Sequence, residues 1–484
     1  MTTDSNSLKF NFLAFFVSLS FLLILFYQSD GLEGGMDSWM HFLNSKYAFK
    51  HPELFLDQWN KPIFTLITAP ICQLGIHALE IFNILCVALA ALLISLALRH
   101  AGFRNSWIAI PLLVFTPVCF LNTVSGLTEP LAILMVALFI YLWVISKRIA
   151  AVILAGFLPF IRTEGFVIAA AIVYLILLSR DYKLLLWLFV GSIMMNFLGF
   201  TLTGHPFWII TDNPYVNHEL NGNFDPGRGS LFHFFIHARE MFGLPLLILA
   251  ILSTLLPIWL KYKKQSVHYL LTFSLLGFWM YFWAHALIYY FGILGSHGLT
   301  RPMALLAPFL SIMCYLTFDF LLDKFGHVTR ILASVILVTL VTMTAYFESD
   351  FPLPFDITAK AIPADSTQNN FIKAGVWLEK NGLISRQVVH QSPFFNVRFN
   401  KDPYNYNDGY FIWSIDRNAD WTKDGTMIIW DGFSAKREGG MPLEWLKNNP
   451  AYRFHHFIDG KQVDPKDPEK YDIWIFEKIP LHAK

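Results

Sequence analysis

The 484-residue sequence predicts an α-helical polytopic membrane protein with about 11 transmembrane helices and a C-terminal soluble α/β domain. Three observations lead there. Hydrophobic residues make up 55% of the chain and charged residues only 15%, with a mean hydropathy of +0.47, more apolar surface than a soluble fold of this length can bury. Apolar runs recur as far as Phe347, after which the composition turns polar and rich in turn residues. Basic residues collect in alternate short connections.

In order, the apolar runs cover 10–28, 77–98, 107–121, 130–145, 149–161, 165–178, 184–203, 241–260, 268–293, 302–322 and 331–347. The first reads as a retained helix, because Gln28-Ser29-Asp30 leads into an acidic loop and offers no small-residue cleavage site. Arg99 with Arg104, Lys147 with Arg148, Arg180 with Lys183, Lys261 with Lys263 and Lys264, and Lys324 with Arg330 follow even-numbered runs, so those connections are expected to be cytoplasmic. The opposite face then receives the first loop (30–76), Thr128-Glu129-Pro130, Arg162-Thr163-Glu164, the 204–240 loop and the tail. The expected division is a membrane domain, 1–347, and an external, periplasmic domain, 348–484.

Within the first loop, Asp37 stands in Gly34-Gly35-Met36-Asp37-Ser38-Trp39-Met40-His41-Phe42. Trp39, Phe42, Leu43 and Tyr47 recur at helical spacing, which predicts an amphipathic helix over 38–50 lying on the membrane surface, with Asp37, His41, Asn44 and Lys46 or Lys50 on its polar face. Further on, Asp57-Gln58-Trp59-Asn60-Lys61-Pro62 opens the apolar run 63–74. That run is too short to span comfortably and carries Pro70, so it reads as a re-entrant or interfacial helix. In the tail, strand-like runs at 386–390, 426–430 and 471–476 alternate with helical stretches at 367–380 and 442–447 and with turns at Asn381-Gly382, Asn407-Asp408-Gly409 and Asp459-Gly460. Its tryptophans, Trp377, Trp413, Trp421, Trp430, Trp445 and Trp474, read as domain core, with sugar stacking the alternative.

Composition also excludes. A net charge of +1 without an arginine-rich stripe leaves no footprint for nucleic acid. The four cysteines, all in apolar runs, show neither disulfide nor metal-ligand spacing. A cytoplasmic nucleotide-sugar donor is disfavoured, since no Gly-rich phosphate loop is present.

One span, a long external loop opening on an acid, a Lys61-Pro62 entry into the next run, Thr128-Glu129-Pro130, Arg162-Thr163-Glu164-Gly165 and Arg301 before a late span resemble the polytopic GT-C glycosyltransferases, among them the protein O-mannosyltransferases and lipid A aminoarabinose transferases. The resemblance covers roughly 10–346 in topology and implies a GT-C-like membrane domain, a polyprenyl-phosphate-linked sugar as donor and a first-loop carboxylate as general base. That role falls on Asp37. Many members carry two adjacent acids there, whereas Ser38 follows Asp37, so Asp57 stays open as the alternative.

The chemistry needs a base for the acceptor hydroxyl and cations for the charge growing on the departing phosphate. Arg162 and Arg301 are the first candidates for the phosphate, since guanidinium forks onto phosphate oxygens, and Lys61 and Arg228 the second. His41, Asp57, Glu129 and Glu164 are acceptor-side or supporting candidates, and His41 is where a divalent metal ion, if used, could be joined. Each has a plainer reading: Asp37 as a helix cap, the arginines as lipid-phosphate anchors, Glu164 as the ion-pair partner of Arg162, Glu129 as a first-turn acid before Pro130. The expected activity is transfer to a hydroxyl of a glycan, lipid or protein at the outer face of the bacterial inner membrane. The alternatives are a lipid or glycan flippase, and a non-catalytic subunit. Polar groups gathered at one face rather than at the midplane argue against transport.

Overall fold

The computed structural model describes residues 5–215, 227–347, 366–411, 422–437, 439–460 and 469–480. Asp225, Pro226, Trp413 and Trp421, and the stretch where the tail begins, lie outside them. The chain forms two compact units. One comprises Met1–Ser29 and Glu53–Ala361, the other Asp30–Pro52 and Ile362–Lys484.

Among the described residues of the first unit, seven helices are long and apolar enough to cross a membrane: Ser7–Tyr27, Ile76–His100, Leu184–Thr203, Leu244–Tyr262, Tyr269–Phe291, Arg301–Leu322 and His327–Tyr346. This is an integral membrane protein. Shorter apolar helices lie at Pro62–Cys72, Glu129–Val144, Arg148–Phe160 and Gly165–Ser179. The run expected to span at 107–121 is instead a broken, buried chain of Ser106–Ile108, Ala109–Val114 and Pro117–Asn122. Pro117 removes a backbone donor and bars the preceding Thr116 from helical ψ, which sits at 118° and ends the helix. Polar side chains join helices where lipid offers no partner. Asn11 Nδ2 donates to Ser106 Oγ at 3.3 Å, and Thr317 Oγ1 to Ser253 Oγ at 2.8 Å. A Cβ on Gly191 would meet the Gly156 carbonyl oxygen at 2.1 Å, so two helices cross there with backbones in contact.

The second unit holds a five-stranded sheet in the order β2-β1-β3-β5-β4, with β1 Val388–His390, β2 Gly409–Phe411, β3 Met427–Asp431, β4 Tyr452–Ile458 and β5 Ile473–Lys478. β2, β1 and β3 run parallel, while β5 and β4 are antiparallel neighbours. β3 is apolar up to Asp431 and wholly buried, as a central strand covered on both faces must be. Val389, Ile428, Trp430, Leu446 and Phe476 form its core, and Trp445 and Trp474 pack against them. Trp430 Nε1 donates to the Met441 carbonyl at 2.7 Å. The sequence shows β1, β3 and β5 as apolar runs; β4 escapes it, because Arg453, His455 and His456 interrupt its alternation.

The expected amphipathic helix is present at Gly35–Tyr47, three residues earlier than its periodicity suggested. Gly34 and Gly35, at φ 83° and 55°, allow the early start. Its buried face comprises Ser38, Trp39, His41, Phe42, Leu43, Asn44, Ser45 and Tyr47. This helix belongs to the same compact unit as the tail.

Candidate active site

A buried cluster of charge occupies the first unit. Its base is the turn before the Pro62–Cys72 helix, where Asp57 Oδ1 accepts the backbone N–H of Trp59 at 2.7 Å and of Asn60 at 2.9 Å. Asp57 is thereby spent on folding its own loop. Four residues after Asp57, Lys61 takes φ 73°, ψ 109°, a left-handed conformation that costs a non-glycine residue about 1–3 kcal/mol. Thr65 holds it there, its N–H donating to the Lys61 carbonyl at 3.0 Å, while Asn60 Nδ2 donates to Thr65 Oγ1 at 2.6 Å.

Thus placed, Lys61 is 5% exposed. Its Nζ donates to the Gln58 carbonyl at 2.7 Å and to Thr163 Oγ1 at 2.8 Å, and stands 4.8 Å from the centre of the Tyr215 ring. Among the described residues no carboxylate is in ion-pair contact with this ammonium. Burial accordingly pulls its pKa down to about 8; Glu164 works against that shift and Arg162 adds to it.

Thr163 belongs to the turn that carries Arg162 and Glu164 ahead of the Gly165–Ser179 helix. The turn closes tightly only because residue 165 is glycine: a Cβ there would lie 2.5 Å from the Leu158 carbonyl carbon. Arg162 forks onto Glu164, with Nε to Oε2 at 3.1 Å and Nη2 to Oε1 at 2.5 Å. Its Nη1 lies 2.8 Å from Glu129 Oε1 and donates to Thr128 Oγ1 at 3.3 Å. Burial alone would push the Glu164 carboxyl up, yet Arg162 and His285 hold it down at about 2. The same carboxylates outweigh the burial of Arg162 and raise its guanidinium above its usual range.

Glu129 is fully buried as the first residue of the Glu129–Val144 helix, ahead of Pro130. It draws in Arg301, whose Nε is 4.0 Å from Glu129 Oε1. Both Glu129 oxygens lack an aligned hydrogen bond despite the short ion pair, so the contact is coulombic rather than directional. Asn122 Nδ2 donates to the Arg301 carbonyl at 3.4 Å, and the Tyr281 hydroxyl to the Pro302 carbonyl at 3.0 Å, fixing the turn that bears Arg301. Beside Glu164, His285 is buried with its Nε2 3.9 Å from Oε1, and neither ring nitrogen is hydrogen-bonded. Among the described residues, Lys61, Arg162 and Arg301 thus gather around Glu129 and Glu164, a concentration of cationic side chains suited to an anion.

The structure thus brings Lys61, Glu129, Arg162, Glu164 and Arg301 together, with Asp57 one turn away. Arg228 is not in that cluster; exposed, it donates from Nε to the Tyr290 carbonyl at 3.2 Å. Asp37, half-buried in the first turn of its helix, and His41, buried on it, belong to the other unit. Gly34 stands at the N-cap, so Asp37 lies one turn inside and is not the cap. Among the described residues no three His, Cys, Asp or Glu side chains converge as metal ligands. Glu129 and Glu164 are taken up by Arg162, and His233 and His237 diverge to the Gly298 carbonyl and Glu240. His285 and Tyr215 enter the cluster unannounced, and Thr128 and Thr163 were visible only as members of their turns; the one sequence signal for His285 was an ionisable residue inside an apolar run, four residues after Tyr281.

The apolar helical bundle and the small α/β unit have a fold shared with solved structures. The crystal structure of ArnT from Cupriavidus metallidurans bound to undecaprenyl phosphate superposes with a TM-score of 0.56 at 10% identity, covering 99% of this chain and 98% of that one. The Archaeoglobus fulgidus oligosaccharyltransferase, in complex with zinc and sulfate, superposes at 0.51 and 12% identity, over 87% of this chain and 67% of that one. No protein-family model and no curated protein matches the sequence. The likeness is one of fold.

Proposed function

We propose that this protein is a GT-C-type glycosyltransferase that takes a sugar from a polyprenyl-phosphate-linked donor and passes it to an acceptor hydroxyl of a glycan, lipid or protein. The reaction takes place on the non-cytoplasmic face of the bacterial inner membrane, where the C-terminal domain also resides. The observation that carries this reading is Lys61: a buried ammonium, held by a strained backbone, whose partners are neutral oxygens and an aromatic face. Such a cation is satisfied by an incoming anion, and a fold shared with a protein crystallised with undecaprenyl phosphate supports a polyprenyl phosphate as that anion.

In the reaction the acceptor oxygen forms a bond to the anomeric carbon as the bond from that carbon to the phosphate oxygen breaks. The electron pair leaves onto the phosphate, where Lys61 and Arg301 offset the growing charge. Arg162, its fork filled by Glu164 and Glu129, anchors the cluster and keeps Thr163 against Lys61. The hydroxyl proton passes to a carboxylate. Asp37 takes that role, as the family resemblance implies, while Asp57 accepts two backbone N–H groups. Attack opposite the phosphate inverts the anomeric centre, as the family resemblance implies.

The test is transfer of radiolabel from a panel of polyprenyl-phosphate sugars by purified protein, with Asp37→Asn and Lys61→Gln in parallel. Turnover by wild type, lost in Asp37→Asn and weakened at the level of donor KM in Lys61→Gln, supports the assignment. Full activity of Asp37→Asn removes it as base, and no transfer from any donor overturns glycosyl transfer itself.

A further inference from the structure

The geometry points to a second task for the C-terminal domain: it is the seat that positions the Asp37 helix, so residues of the tail set the turnover rate without touching substrate. This inference rests on the proposed role of Asp37 as base. Its ground is that Asp30–Pro52 is compact with Ile362–Lys484 and not with the bundle that precedes and follows it in sequence.

The seat runs the whole length of the helix. Next to Asp37, Met36 Sδ is contacted by Ser434 Oγ at 3.6 Å, just beyond β3. Two residues on, Trp39 packs edge-on against Phe394, with ring centroids 5.2 Å apart. Then the Tyr404 hydroxyl donates to Asn44 Oδ1, Lys46 Nζ to Asn400 Oδ1 at 2.8 Å, and the Tyr47 hydroxyl to the Lys401 carbonyl at 3.2 Å. Past the helix, His51 Nε2 meets Asp402 Oδ2 at 3.3 Å. Four of these contacts fall on the single loop 400–404, and that loop is built to be stiff. Asp408 accepts the buried Lys401 ammonium at 2.8 Å and the Asp402 N–H at 2.8 Å, while Asp402 accepts the Tyr404 N–H at 3.0 Å.

A surface helix that only shielded apolar side chains would need neither the directional bonds at both ends nor a receiving loop fixed by a half-buried ion pair. Polar contacts of this kind fix register and orientation more than they add stability. Orientation is what a general base requires, since displacement by about 1 Å can cost about a hundredfold in rate. Trp39, Phe394 and Tyr404 are thus positioning residues, and Asp408 positions through the loop.

The experiment uses the full-length protein and measures kcat and donor KM across pH for wild type, Tyr404→Phe, Asp408→Asn, and Trp39→Ala with its conservative counterpart Trp39→Phe. Expected is a roughly tenfold to hundredfold fall in kcat for Tyr404→Phe, Asp408→Asn and Trp39→Ala, donor KM within about twofold of wild type, a displaced acid limb of the kcat profile, and recovery in Trp39→Phe. Unchanged melting temperature identifies the folded variants; Tyr404→Phe, which removes one hydroxyl, keeps the test open if Trp39→Ala unfolds. Wild-type kcat in folded Tyr404→Phe and Asp408→Asn, with Asp37→Asn inactive, overturns the positioning role and leaves the base in place. An active Asp37→Asn instead overturns the base assignment, and the seat with it.

Discussion

The sharpest consequence of the site concerns the protonation of Lys61. Its pKa, drawn from 10.5 to about 8, means that burial disfavours the ammonium by about 3 kcal/mol at roughly 1.4 kcal/mol per unit. The folded-state value is depressed, so for the donor-free protein this penalty is complete below pH 8 and fades as pH rises toward 10.5, where the unfolded chain also loses the proton. Binding has the opposite sense: a phosphate needs the charged form. Accordingly kcat/KM for the donor should be flat below about pH 8 and fall tenfold per unit above it. At neutral pH, Lys61→Gln should lower kcat/KM by about tenfold to a hundredfold, the worth of a hydrogen bond to a charged group. Lys61→Arg, charged at any accessible pH, should abolish the alkaline limb even where its geometry slows transfer. Initial rates at subsaturating donor from pH 6 to 10 read all three. If the alkaline limb survives unchanged in Lys61→Arg, it belongs to another group and the anion-site argument fails.

Other perturbations follow. Arg162→Met strands two buried carboxylates and should destabilise the folded protein by about 3–5 kcal/mol, read as a large drop in melting temperature in detergent; replacing both carboxylates with Gln in the same chain should recover part of it. Gly165→Ala drives a Cβ into the Leu158 backbone and should cut donor kcat/KM while leaving the far helices intact, checked by activity beside circular dichroism. In the tail, Glu477 meets Arg453, His455 and Arg386; against its burial these hold its carboxyl down at about 2. A depressed carboxylate contributes stability present above pH 4.5 and lost as pH falls toward 2. Glu477→Gln should therefore lower the melting temperature at pH 6 and leave it unchanged at pH 2.

What the sequence disclosed tracks the range of the interactions involved. Long apolar runs and the Trp39, Phe42, Leu43, Tyr47 period are local patterns, and they mark the spans and the first-loop helix to within a few residues. Arg162 and Glu164, two residues apart, were legible as a pair for the same reason. Lys61 with Thr163 and Arg162 with Glu129 were not, since 102 and 33 residues separate partners whose meeting only the packed bundle decides. Nor could periodicity reveal what the apolar face of the first-loop helix rests on. A membrane surface and the tail ask for the same side chains, and only the polar contacts to Asn400, Lys401 and Tyr404 tell them apart. The broken 107–121 run shows the converse limit: its hydropathy is that of a span, and the break falls at Pro117, one of its two prolines.

The four thiols, at Cys72, Cys86, Cys119 and Cys314, are all buried. Sealed from aqueous reagents, they leave the native protein a nearly silent background for maleimide chemistry. One cysteine introduced at exposed Asn381 in the tail, and in a separate chain at exposed Lys263 between two spans, then becomes a reporter of sidedness in intact cells. A membrane-impermeant label reaching the first and not the second would place the tail outside; the reverse pattern would turn the whole topology over.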